Sequence, residues 1–196
     1  MAAHRPEERV LDAVAAILER DGLAGLTITA IAEEAGLSRV TLHRRGASID
    51  DYVVAVLGRV SEDLRQALWP VLTGAGDAAT RLRSALEVLC EVVERHSGVF
   101  ASFYGTPAWP IPGQPGRTTS LEFIEPFERI LTDGRVDGTL RSDDPRRDAT
   151  FVANTAAWTY CHMRRAHAWD PADTAADVIA VAMSTVLPPA QRAASA

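Results

Sequence analysis

The sequence predicts an all-α protein, in which three short helices that include a helix-turn-helix precede a larger helical region. Two observations carry that reading. Apolar residues recur at helical spacing along nearly all of the 196 residues, whereas convincing period-2 strands, internal repeats and low-complexity tracts are absent. Within residues 27–45, two short helical patterns are separated by little more than Gly36. Composition agrees, since 47% hydrophobic and 23% charged residues describe a chain able to bury a core.

Pro6 suits the first turn of a helix, where a missing N–H costs nothing, and Glu7 and Glu8 meet the positive end of the helix dipole. Val10, Val14, Ile17 and Leu18 then form one apolar stripe, which Gly22 breaks, and Leu23 and Leu26 pack in the connection. Thr27 has the hydroxyl of an N-cap for a second helix through Ala35, with Ile31 and Ala32 facing inward. Gly36 ends it. Ser38 caps a third helix that carries Arg39, Val40, Thr41, Leu42, His43, Arg44 and Arg45 before Gly46 stops it. A fourth begins near Ser48 with Asp50 and Asp51 in its first turn. Its stripe of Val53, Val56, Leu57, Val60, Leu64 and Leu68 continues to Trp69, where Pro70 and the glycines of 74–76 are expected to close it.

Further helices are expected at about 78–96, 100–104 and 118–131. Residues 106–116, with prolines at 107, 110, 112 and 115, are expected to be irregular. A helix over about 145–169, a turn at Asp170-Pro171 and a last helix to Leu187 complete the chain before Pro188 and Pro189.

The net charge of −6 governs solubility and steering, whereas affinity for nucleic acid depends on where the positive groups sit. All 20 basic residues are arginines, so every basic contact is a planar, permanently charged fork. Residues 1–57 hold six arginines against nine acids, a balance of −3, yet no acid lies among Arg39, Arg44 and Arg45 from 35 to 49. Cys90 and Cys161 are too few for a disulfide scaffold and read as two reduced core thiols. No apolar run is long enough to span a bilayer and no signal segment opens the chain, so a cytoplasmic protein without a membrane partner is expected. Nucleophile elbow, phosphate loop, dinucleotide fingerprint and paired-histidine motifs are all missing, and Cys90, His96, Cys161 and His162 lack zinc-ligand spacing. The expectation is therefore no catalytic residue, no cofactor and no metal.

The helix-turn-helix has a geometric rationale. Ala32 is small where two helices must cross, Gly36 can take the left-handed conformation of a tight turn, and Ile31, Ala35, Leu37 and Leu42 lock the pair. The third helix then exposes Arg39, Val40, Thr41, His43, Arg44 and Arg45. Arginine forks read guanine edges or grip phosphate, threonine serves either, and valine can touch a thymine methyl. Thr27, Thr29 and Ser38 at the helix starts complete the candidate DNA contacts. The bare pattern also occurs in all-helical proteins that bind no DNA.

The run Thr27-Ile28-Thr29-Ala30-Ile31-Ala32-Glu33-Glu34-Ala35-Gly36-Leu37-Ser38, then Thr41-Leu42, then an acidic start to a long fourth helix resembles the N-terminal domain of the TetR family of transcriptional regulators. Length and two long C-terminal helices extend the resemblance to the whole chain, although the motif itself is confined to residues 6–57. The resemblance implies a DNA-binding domain at 1–50, a regulatory, ligand-binding and dimerisation domain at 51–190 and a disordered tail at 191–196. It further implies a repressor released from its double-stranded operator by a small-molecule effector, working as a homodimer through the two C-terminal helices.

The chain departs from the family where His43 replaces tyrosine, Gly46 replaces phenylalanine and Ile49 replaces lysine. His43 can still donate to a phosphate, but Ile49 cannot, and an aromatic core contact is lost at Gly46. DNA binding weaker or differently oriented than the family norm, with a shallow salt slope, is expected. The same departures motivate an alternative, a helical ligand-binding or interaction module that has lost specific DNA binding. Activation instead of repression stays open.

Large side chains gather mid-chain, and Phe100, Phe103, Tyr104, Trp109, Phe123, Phe127 and Trp158, with His162, are the candidate lining of a pocket for an apolar or aromatic effector. Tyr160 belongs to the same group, and Glu87, Glu91, Glu122 and Asn154 are further polar candidates. Aromatics at helical spacing equally build ordinary core. Ala149, Val152, Ala153, Ala156 and Ala157, then Val178, Ile179, Ala182, Met183 and Val186, allow close helix approach. The resemblance places a two-fold four-helix interface there, while part of this surface must face its own domain.

Overall fold

The computed structural model describes residues 7–44, 47–103 and 121–189, and regular structure among them is helical throughout. In chain order the helices are α1 (Glu8–Asp21), α2 (Ile28–Glu34), α3 (Arg39–Arg44), α4 (Ile49–Thr73), α5 (Ala78–Arg95), α6 (Ser97–Phe103), α7 (Leu121–Asp137), α8 (Pro145–His167) and α9 (Pro171–Val186), with a 3-10 turn at Leu23–Gly25. The Pro6 helix start, Arg45, Gly46, Tyr104, Trp109, the proline-rich 106–116 and the 191–196 tail lie outside the described residues. The chain divides into two compact units, residues 1–62 with 96–109, and residues 63–95 with 110–196.

In the first unit α1 buries Val10, Val14, Ile17 and Leu18 as its spacing demands, together with Leu11 and Ala13. α1 packs on α2 and α6, and α2 packs on α3. Arg59 of α4 ties that helix to α1 by donating to Asp12 Oδ1 at 2.6 Å and to the Leu11 carbonyl at 3.4 Å. Gly98 lets α6 approach α1 closely, because a Cβ there would stand 2.4 Å from the Cα of Glu19. Ser102, one turn on, donates to the Gly98 carbonyl at 2.7 Å and lies 3.2 Å from that of Leu18. Gly98→Ala should therefore destabilise by roughly 1–3 kcal/mol, the over-packing range, although glycine to alanine inside an open helix would gain up to about 1 kcal/mol. A urea midpoint that rises instead of falling would show that α6 moves off α1 without penalty.

In the second unit α8 packs against α5, α7 and α9, and α5 also meets α7 and α9. The start of α5 is held by the far end of α7: the Ala78 N–H donates to Asp137 Oδ2 at 2.9 Å, the Ala79 N–H to Thr139 Oγ1 at 3.2 Å, and Arg81 pairs with Asp133 at 3.0 Å. Asp144 and Asp170 cap α8 and α9, each with proline next in the chain. Arg164 reaches Glu94 with two nitrogens, at 2.7 and 3.1 Å, and holds its carboxyl below the usual range. Burial pushes the Cys90 thiol up to about 12, with Glu87 and Glu91 adding to it, so the sulfur stays an unreactive thiol. Cys161 is likewise buried and forms no disulfide among the described residues.

Three helix ends differ from the sequence expectation. Pro70 does not close α4, which continues to Thr73 and stops at the expected glycine stretch of 74–76, because a proline removes one N–H and so sacrifices a single bond near the end of a long helix. α7 passes Leu131 and runs to Asp137, where capping the start of α5 anchors its last turn. α6 begins at Ser97 rather than Phe100, extended by the close packing of Gly98 on α1. Among the described residues, no helix is long and apolar enough to cross a membrane.

Candidate nucleic-acid interface

The turn between α2 and α3 is built as its residues require. Thr27 caps α2, its hydroxyl accepting the Ala30 N–H at 3.1 Å. Gly36 takes φ +63°, and the Leu37 N–H closes the turn on the Ala32 carbonyl at 2.8 Å. Ser38 Oγ accepts the Thr41 N–H at 3.0 Å and shares a hydrogen bond of 2.8 Å with the Thr41 hydroxyl. Ile31, Ala32 and Leu42 are buried, while Ala35 and Leu37 are only half-buried. The lock therefore rests on the first three.

With Leu42 inside, α3 turns Arg39, Val40, Thr41, His43 and Arg44 to solvent. Ser38 and Thr27 are exposed at the helix starts and Thr29 is half-buried; Arg45 lies outside the described residues. Two nearby acids are already engaged. Glu34 pairs with Arg20 of α1 at 3.0 Å, and Asp51 accepts the Ser48 backbone N–H at 2.8 Å and its hydroxyl at 2.7 Å. Those Ser48 bonds hold the Asp51 carboxyl below its usual range and make a reciprocal cap at the start of α4, because the Asp51 N–H returns to Ser48 Oγ at 3.2 Å. The result is an exposed α3 face of arginine, histidine, valine and threonine with no carboxylate on the helix.

The candidate effector contacts fall on both units. Phe100 and Phe103 are half-buried on α6 of the first. Phe123 and Trp158 are half-buried on α7 and α8 of the second, whereas Phe127 is fully buried in its core. The Trp158 indole N–H donates to Asn154 Oδ1 at 2.9 Å, and the Asn154 amide donates to the Thr150 carbonyl at 2.7 Å. His162 stacks edge-on to His167 with ring centroids 5.3 Å apart. Tyr104 and Trp109 lie outside the described residues.

Sequence reasoning missed an open cleft of about 240 Å³ in the second unit, lined by Asp77, Thr80, Arg83, Thr139, Met183 and Leu187 among others. Its walls come from three distant stretches of chain, and no local pattern announces such a meeting. The small-residue stripes also take a definite place. Ala149, Val152, Ala153, Ala156 and Ala157 on α8, and Val178, Ile179, Ala182, Met183 and Val186 on α9, are all buried within the single chain.

No protein-family model and no curated protein matches the sequence. Solved structures do match it. A transcriptional regulator of the TetR/AcrR family from Thermobifida fusca superposes with a TM-score of 0.62 at 16% identity, over 89% of this chain and 94% of that one. The ketosteroid transcriptional regulator KstR2 of Mycobacterium tuberculosis gives 0.66 at 19% identity, over 95% and 98%. The transcriptional regulator FadR of Bacillus subtilis, in complex with stearoyl-CoA, gives 0.68 at 13% identity, over 90% and 97%. Likeness at such low identity is a likeness of architecture, and it agrees with the helix-turn-helix built from α2 and α3: this chain has the fold of the TetR-family transcription regulators.

Proposed function

We propose that this protein is a TetR-type transcriptional repressor, cytoplasmic, that leaves its double-stranded operator when a small apolar or aromatic molecule binds. The observation that carries the reading is the exposed, carboxylate-free face of α3 on a helix locked by Leu42, Gly36 and Ser38. Arg39, Arg44 and Arg45 supply forks for phosphate or guanine, Val40 and Thr41 supply methyl groups, and His43, Ser38, Thr27 and Thr29 supply polar contacts to the backbone. The DNA-binding part is assigned to residues 1–50 and the regulatory part to 51–190. The stearoyl-CoA held by FadR supports an effector with a large apolar portion. Phe123, Trp158 and His162 of the second unit are assigned to contact it.

Homodimerisation is assigned to α8 and α9. Since their small-residue stripes are buried within one chain, the intersubunit face is the outward one that carries Phe151, 57% exposed, and Val181, 58% exposed. Replacing Val181 by aspartate should convert dimer to monomer in sedimentation or light scattering while leaving the helical circular dichroism in place, because a carboxylate buried without a partner is strongly disfavoured. A V181D protein that sediments like wild type would place the interface elsewhere.

The DNA reading is tested by fluorescence anisotropy against the promoter region of the protein's own gene at two salt concentrations, comparing wild type with Arg44→Ala. Losing one bidentate base contact should weaken specific binding by about 1–3 kcal/mol, and the salt slope should be shallow because Ile49 offers no phosphate contact. Absence of specific binding at either salt would favour the module that keeps the fold without reading DNA.

A further inference from the structure

The face that α3 presents is selective in what it lacks. Leu42 is buried, so the outward side of the helix is centred on the two residues about 160° away from it, Val40 and Arg44. They are i, i+4 neighbours, separated by about 6 Å along the axis. Val40 is 59% exposed, an isopropyl group beside a guanidinium at the middle of the face. Thr41 stands to one side with its hydroxyl engaged by Ser38, and His43 stands near the other edge. Residues 37–44 include no aspartate, glutamate, asparagine or glutamine.

Base edges in the major groove sort against this inventory. The amino groups of adenine and cytosine require an acceptor; α3 has no carboxamide or carboxylate, its Thr41 hydroxyl is shared with Ser38, and its remaining acceptor, the His43 imidazole, stands at the edge of the face. Guanine offers two acceptors suited to an arginine fork, and thymine offers a methyl group suited to valine. Resting on the DNA-binding reading above, we propose that each operator half-site is read through a guanine held by Arg44 and a thymine methyl seated on Val40, with adenine and cytosine amino groups unread. About 6 Å of helix against about 3.4 Å per base pair puts the two bases one or two pairs apart. His43 is left to the phosphate backbone.

The test selects binding sites from a randomised duplex library with the intact protein, then remakes the selected duplex with deoxyuridine for the thymine or 7-deazaguanine for the guanine. Deoxyuridine lacks only the methyl, and its use should weaken binding about fourfold. 7-Deazaguanine lacks one of the two acceptors and should weaken binding about five- to tenfold. The first loss should vanish in Val40→Ala and the second in Arg44→Ala. Selected half-sites without a guanine and thymine so spaced, unchanged affinity with either analogue, or analogue penalties that persist in the matching variant would each overturn the proposal while leaving DNA binding intact. Failure to enrich any sequence would overturn the proposal together with the repressor reading itself.

Discussion

Replacing Phe127 by alanine is expected to cost roughly 3–5 kcal/mol of folding free energy, the usual loss for a fully buried phenylalanine. Phe127 is completely buried on α7, and Ile124, Ile130 and Leu131 of the same helix are buried with it. The side chain thus sits among packed neighbours that can collapse only in part, so the lost transfer free energy and the cavity left behind add together. Its identity as a candidate effector contact makes the measurement doubly informative. If Phe127 instead borders a void reserved for a ligand, truncation enlarges an existing space and the urea or thermal midpoint moves little. A loss below about 1 kcal/mol, within reach of ordinary exposed sites, would transfer Phe127 from the core to the pocket.

Leu42→Ala should produce the second large effect, about 2–5 kcal/mol, and it should remove specific DNA binding as well. α3 has only six residues, far below the length at which a helix holds itself in water. Its place depends on Leu42, 1% exposed, on the Ser38 cap and on the left-handed turn at Gly36. Of these, Leu42 alone contributes a large buried side chain from the helix itself. Val40→Ala, on the exposed side of the same helix, should stay within about 0.5 kcal/mol of wild type in stability. Chemical denaturation and a DNA titration on both variants separate the roles. Full operator affinity in a destabilised Leu42→Ala protein would mean that α3 is positioned by something other than its core contact.

The candidate DNA interface was legible because every device that builds it is local. A threonine before an apolar period, a glycine at a positive φ and a serine three residues ahead of the N–H it accepts are each specified within a few positions of chain. The candidate effector contacts were not legible in the same way. Phe123, Phe127 and Trp158 have similar spacing and similar chemistry, yet one is fully buried and two are half-buried, a difference made by neighbours from other helices.

The amino-acid sequence by itself determined the all-helical architecture, the α2–α3 turn and the exposed cationic side of α3, since helical period, caps and turns are short-range properties of the chain. Tertiary structure alone decided how far the helices run and which faces they hide. α4 carries Pro70 within it and α7 extends to Asp137, whose carboxylate receives the first N–H of α5 from 59 residues away. The alanine stripe of α8 and the apolar stripe of α9 were equally fit for an own-chain core or a partner. Packing among α5, α7, α8 and α9 buried them within one chain, leaving Phe151 and Val181 outward, because apolar burial is non-directional and its partner is chosen only when the helices meet.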